Sequence, residues 1–143
     1  MSTLEEIEKR RAERRAKHDQ DRLAQEALDL EAIDALEASS GEPLHTMTAN
    51  GFKPGVSVKI AFRAPTALEY KRYADMIGRA SQKNDPAERR RAAELLAAAC
   101  WVYPAKDTEE RAAMLEAFPG VLISLSIEAA KVAELRAEDE GKG

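Results

Sequence analysis

Apolar positions change their spacing twice along the chain, and the changes mark out its elements. Over the first forty residues they recur at helical intervals with no glycine or proline before Gly41, which predicts one long helix. Its start carries Ser2 or Thr3 with Glu5 or Glu6 three positions on, the spacing of a capping box. In its second half Leu23, Ala27, Leu30 and Asp34 follow one face, and Leu28, Ala32, Ala35 and Leu36 widen an apolar stripe around Ile33, so that half is expected to dock. The first half offers only Leu4, Ile7, Ala12 and Ala16, and is expected to project into solvent.

After a linker, "SSGEP" (39–43), the period drops to two. "VSVKIAF" sets Val56, Val58, Ile60 and Phe62 against Ser57, Lys59 and Ala61, the pattern of a half-buried strand. "LHTMTA" (44–49) is its expected antiparallel partner through the turn "NGFKPG" (50–55). Such a hairpin is marginal alone and must pack on helices or a second subunit.

Helical spacing then returns. Thr66 with Glu69 opens a helix that carries Leu68, Tyr70, Tyr73, Met76 and Ile77 on one side. Asp85, Pro86 and Glu88 open the next, expected to run to the aromatic segment "CWVY" (100–103). Its triplet Arg89–Arg91 opposes the helix dipole and hints at an acidic neighbour, for which the acidic half of the first helix is a candidate. Asp107 with Glu110 predicts a short helix over 107–118, and Pro119–Gly120 a stop. A last amphipathic helix follows with Leu122, Leu125, Ala129 and Val132 on one face, broadened by Ile123, Ile127 and Leu135. The expected class is α+β, mainly α: a charged N-terminal helix and linker (1–43), a small domain over 44–137 with its hairpin at 44–63 and about four short helices at 66–137, and a disordered tail at 138–143.

Composition fits one small domain. The chain has 143 residues, of which 34% are charged and 5% aromatic, so the core is expected to be modest and alanine-rich. The formal net charge of -4 is not that of a dedicated nucleic-acid binder. Charge is nevertheless segregated: Lys9, Arg10, Arg11, Arg14, Arg15 and Lys17 form a basic patch, whereas 26–37 carries only acidic charges. That patch could neutralise phosphates as a nucleic-acid adaptor, but it lacks interleaved aromatics for base stacking, and the acidic half beside it argues against this partner. The N-terminal segment has no apolar stretch of the signal-peptide kind, and no apolar run reaches membrane-spanning length, so a soluble, cytoplasmic protein is expected.

Candidate chemistry is sparse. His18 and His45 lack a second ligand at metal spacing, and no phosphate loop, nucleophile elbow or dinucleotide fingerprint occurs. Cys100 lies in an apolar run, which favours a buried thiol over a nucleophile. Carboxylates such as Asp29, Glu31, Glu109 and Glu110 are expected to be solvated on helix surfaces. No metal, cofactor or enzyme activity is expected.

The strand ending "FRAP" (62–65), the helix "TALEYKRYADMI" (66–77), "CWVYP" (100–104), "LEAFPGV" (115–121) and the last amphipathic helix resemble the tail assembly chaperones of long-tailed bacteriophages and phage-derived elements, over residues 52–137. The resemblance implies a non-enzymatic chaperone of the bacterial host cytoplasm, absent from the mature virion. It would bind the tape measure protein and help to recruit tail tube subunits. Self-association is expected as well, from the small core and the hairpin edge. The client-binding or core face would comprise Tyr70, Tyr73, Met76, Trp101, Tyr103, Met114 and Phe118. A structural phage protein, either a head–tail connector or a minor virion component, is the alternative.

Overall fold

The computed structural model of the chain describes residues 3–53, 56–118 and 120–142, with the side chains of 50–57 and 137–142 outside that description. Five helices and three strands follow in the order α1 (Leu4–Ser40), β1 (His45–Lys53), β2 (Val56–Phe62), α2 (Ala67–Lys83), α3 (Pro86–Cys100), β3 (Trp101–Tyr103), α4 (Glu109–Ala117) and α5 (Val121–Lys142). The class is α+β, mainly α.

Local chemistry sets most boundaries. Thr3 and Glu6 form the capping box that opens α1, and Gly41, at φ 73, ends it with its N–H on the Glu37 carbonyl. At 37 residues, α1 is a rod of about 55 Å. Thr66 and Glu69 repeat the capping box at α2, while Asp85 and Pro86 open α3 as expected. The cap of α4 lies one residue later than the spacing suggested. Thr108, not Asp107, accepts the Arg111 N–H, because its hydroxyl is also tied to the Ala105 carbonyl at 2.7 Å. Backbone helix continues through Lys142, so 138–142 is the end of α5 and not the disordered tail expected there. Ser2, the Pro54–Gly55 part of the expected turn, Pro119 and Gly143 lie outside the described residues.

The sheet is antiparallel in the order β1-β2-β3. Met47 opposes Ile60 and Ala49 opposes Val58, so these residues share a face with Phe62, and Lys59 and Ala61 point to the other. On the first face α3 and α5 cover a cluster of Val58, Ile60, Phe62, Leu96, Cys100 and Leu125, and Tyr70, Tyr73, Phe118 and Val132 pack against it. On the second face lies α1. β3 arises from the "WVY" segment that periodicity assigned to the end of α3: Trp101 leaves the helix as its C-cap and pairs with Phe62, and Tyr103 pairs with Ala61.

Which face of α1 docks differs in part from expectation. Its acidic half does pack on the sheet, but through Asp29 and Ile33, 1% and 3% exposed. Leu23, Leu28 and Leu30 remain exposed. Ile33, the centre of the expected stripe, is buried, but the residue beside it in the contact is a carboxylate, and the Leu23 and Leu30 face that periodicity also offered stays in solvent. Leu68, Ile127 and Leu135 are likewise exposed on helices whose other apolar residues pack. The Arg89–Arg91 triplet is exposed, with Arg89 near Ser81 and Arg90 on Glu94, so its neighbours are local and not the acidic half of α1.

Arg63 joins three elements just beyond β2. It makes a bidentate pair with Glu69 of α2 at 2.7 and 2.8 Å, and donates to the Ala99 carbonyl of α3 at 2.8 Å. The hydrogen bonds from Arg63 outweigh burial and hold the Glu69 carboxyl at about 2, below its ordinary 4.5. A carboxyl depressed in the folded state stabilises above its unfolded value, and that stability is lost as pH falls through the folded one. Stability is therefore expected to decline between about pH 4.5 and 2. Glu69→Gln should flatten that part of the profile and lower stability at neutral pH, as followed by urea denaturation at a series of pH values. In the same assay, read by fluorescence of the buried Trp101, Leu125→Ala should cost about 2–5 kcal/mol. Leu30→Ala should stay within about 0.5 kcal/mol, since Leu30 lies on the solvent side of α1.

Candidate functional site

β3 is three residues long, and the short strand leaves part of the β2 edge without a neighbour. Alternate N–H groups of β2 point to that edge: the N–H of Arg63, just past the strand, donates to the Cys100 carbonyl at 2.9 Å, and Ala61 lies opposite Tyr103. By the time the edge reaches Lys59, β3 has ended at the cis Tyr103–Pro104 bond. Here Asp29 takes the strand's place. Its Oδ2 accepts the Lys59 N–H at 3.0 Å, and its Oδ1 accepts the Tyr103 hydroxyl at 2.8 Å and the Gln25 amide at 2.9 Å. The expectation that Asp29 is a solvated surface carboxylate is therefore overturned. Three converging donors satisfy it, which is what makes burial of a carboxylate tolerable. The Lys59 side chain reaches Thr48 at 2.8 Å and Glu26 at 3.4 Å, adding a second tie between strand and helix. Burial first, and then the bond to Asp29, push the Tyr103 hydroxyl up to about 12, so it stays a donor.

Arg111 fixes the other side of β3. Its guanidinium lies 4.0 Å from the Trp101 ring centroid and donates to the carbonyls of Trp101 and Pro104 at 3.3 and 3.4 Å. The residue is buried, and burial lowers its pKa against the opposing charge of Asp107. No carboxylate forms a salt bridge with it among the described residues. The aromatic face and two carbonyl dipoles supply the compensation. The Trp101 indole N–H in turn donates to the Tyr103 carbonyl at 2.8 Å. This Arg111–Trp101 contact was not legible in the sequence. Only the i, i+10 juxtaposition of two residues across a turn could have suggested it.

Between these two fixed points runs a cavity of about 900 Å³. One wall is Ala32, Ala35 and Leu36 of α1, the other Val102, Pro104 and Ala105, with Val58 and Met114 also lining it. Small side chains on both walls keep it open. Of its polar lining groups, Asp29, Gln25, Tyr103 and Thr108 are engaged in the hydrogen bonds described above, while Ser39 and Glu110 are exposed. The arrangement offers an apolar surface of fixed shape, suited to a side-chain row from another segment.

The aromatic and methionine residues expected to form one client face are dispersed. Tyr103 and Met114 line the groove. Trp101 and Met114 are buried core, and Phe118 packs beside Met47 and Val121 at a separate cavity. Tyr70, Tyr73 and Met76 are half-buried on α2, with the Tyr70 hydroxyl on Glu134 of α5 and the Tyr70 and Tyr73 rings 6.4 Å apart. Burial raises the pKa of both hydroxyls. Lys9, Arg10, Arg11, Arg14, Arg15 and Lys17 are all exposed on the first half of α1. Cys100 is fully buried, and burial pushes its thiol up to about 11, so it stays protonated near neutral pH. His18 lies on α1, whereas His45 stacks on Phe62 at 5.5 Å. Among the described residues no three His, Cys, Asp or Glu side chains are grouped to hold a metal ion, and no single helix is long and apolar enough to cross a membrane.

No protein-family model, curated protein or solved structure matches the chain.

The shared role of Asp29 gives a graded expectation. Tyr103→Phe removes one donor and should cost about 1 kcal/mol. Asp29→Ala leaves the Lys59 N–H and the Tyr103 hydroxyl without their acceptor and should cost about 2–5 kcal/mol. Hydrogen exchange at Lys59 should accelerate in Asp29→Ala by more than global destabilisation explains.

Proposed function

We propose that this protein is a non-enzymatic tail assembly chaperone of a long-tailed bacteriophage or phage-derived element. It binds an apolar helical stretch of the tape measure protein and helps to recruit tail tube subunits in the host cytoplasm, without remaining in the finished particle. The observation that supports a binding role is the open groove between α1 and the β3–α4 segment, of about 900 Å³ and lined chiefly by alanine, valine, proline, leucine and methionine side chains. A row of small and medium side chains on a client helix would fill it and remove apolar area from water at about 25 cal/mol per Å². The client's identity rests on the resemblance of residues 52–137 to that family. The groove is the face we assign to the client, because Trp101 is buried in the core while Tyr103 and Met114 line the groove. The non-enzymatic reading is supported by the engagement of the groove's Asp29, Gln25, Tyr103 and Thr108 in structural hydrogen bonds.

Co-expression with a tape measure protein is the direct test. The chaperone should keep that protein soluble and co-purify with it. Ala35→Glu, at an exposed position on the groove wall, should reduce recovery about tenfold or more without moving the thermal midpoint. Stoichiometric presence of the chain in purified particles, measured by mass spectrometry, would overturn the proposal and favour a structural component.

A further inference from the structure

The first half of α1 stands clear of the domain. Every residue from Thr3 to Lys17 is exposed, and α1 packs on β2 only through its second half. Its charge is one-sided in sequence: 9–17 holds six basic residues and one acid, Glu13, whereas 26–37 holds five acids and no base. The halves are complementary, yet a single rigid helix cannot fold back on itself to join them.

They can meet between two copies. At 3.6 residues per turn, Leu4, Ile7, Arg10, Arg11, Arg14 and Lys17 fall within one half of the helix circumference. No acid of the segment 3–17 lies in that half. Ala32, Ala35 and Leu36, the α1 wall of the groove, fall in the same half two to three turns beyond Gln25. A twofold contact requires that one face of a helix serve both as donor and as acceptor, and α1 meets this requirement.

We propose that two copies associate antiparallel along α1, each laying its basic arm into the groove of the other. With Asp21 opposite Arg22 across the twofold, Ile7 falls over Leu36 of the second copy and Arg11 over Ala32. The apolar residues of the arm then meet the alanine-lined wall. Arg10, Arg14 and Lys17 lie near Glu31 on one side and near the segment 104–110 on the other, where Asp107, Glu109 and Glu110 outnumber Lys106. The interface rests on the reading of the groove as a protein-binding site, and is independent of which client the protein serves. It makes the arm of a second copy the occupant of that groove when no client is present.

Sedimentation equilibrium of the full chain tests this with two double variants. Arg10→Glu with Arg14→Glu reverses the arm, and Glu31→Lys with Glu110→Lys reverses one acid on α1 beside the groove and one in its lining. All four positions are exposed, so the fold is retained, as circular dichroism would verify. The wild type should dimerise, with its dissociation constant rising about tenfold or more between low and high salt. Each double variant alone should be monomeric, and an equimolar mixture of the two should recover the dimer. Ile7→Cys combined with Leu36→Cys should give a disulfide-linked dimer. The two positions are 29 residues apart on one helix, about 44 Å, and cannot bridge within a chain. A wild type monomeric at high concentration, or a dimer indifferent to both reversals, would overturn the proposal. So would charge reversal in the arm that abolished retention of nucleic acid and left self-association intact. Tape measure binding by a strictly monomeric chain would remove the dimer and leave the proposed function standing. Dimerisation without tape measure binding would do the reverse.

Discussion

The exposed edge of β2 is the constraint on which the rest of the structure depends. A three-stranded sheet with a long hairpin and a three-residue third strand has more edge than β3 can cover. α1 packs across that region, and a backbone N–H buried there without an acceptor would cost as much as a lost hydrogen bond or more. The Asp29 carboxylate meets this demand from the side of the helix. It also collects the Tyr103 hydroxyl, so the last residue of β3 and the adjacent stretch of β2 are held by the same two oxygens. A leucine in its place would suit the apolar contact and leave the edge unsatisfied.

The same logic recurs at the other end of the sheet and at the turn beyond β3. Arg63 ties the end of β2 to the start of α2 and the last turn of α3, and Arg111 ties Trp101 to Pro104. In each case a charged side chain with several donors or acceptors joins backbone segments that lack regular partners. The core itself is built largely of alanine with a few large residues, Ile60, Phe62, Leu96, Met114 and Leu125 among them. Helices with alanine at their contacts approach closely, and they gain less from burial than leucine-rich ones. Part of the definition of the fold therefore passes to these polar junctions, which specify angles as well as energies.

What could be read from the sequence follows from this division. Capping signals are local chemistry, so Thr3 with Glu6, Thr66 with Glu69, and Asp85 with Pro86 appeared where periodicity put them. The strand over 56–62 and its hairpin were legible because alternation over seven residues has few other readings. The burial of Cys100 followed from its apolar neighbours. The failures are equally specific. β3 is too short to carry a period, and only pairing with Ala61 and Phe62 makes it a strand. The docking face of α1 was legible only at Ile33, because its other buried residue, Asp29, is an acid, and Leu23 and Leu30 supplied a competing stripe. The groove was invisible, being formed by residues from α1 and from 102–114 that meet only in the tertiary structure.

That groove follows from the edge constraint. Where a full-length strand would have filled the space beside β2, the chain turns away at Pro104, and one buried carboxylate does the work of the missing backbone. The volume that remains is walled by alanines, which cannot reach across it, and by Leu36 and Val102, which stay partly or well exposed to it. Closing it with larger side chains would bury more apolar surface and raise stability. Its persistence beside a sheet edge held by so many polar ties is a local inconsistency of the kind found where a surface is kept for another molecule. The small size of the core makes this more telling, since a protein with little apolar area to spare leaves an unfilled apolar face unburied at a proportionally greater cost.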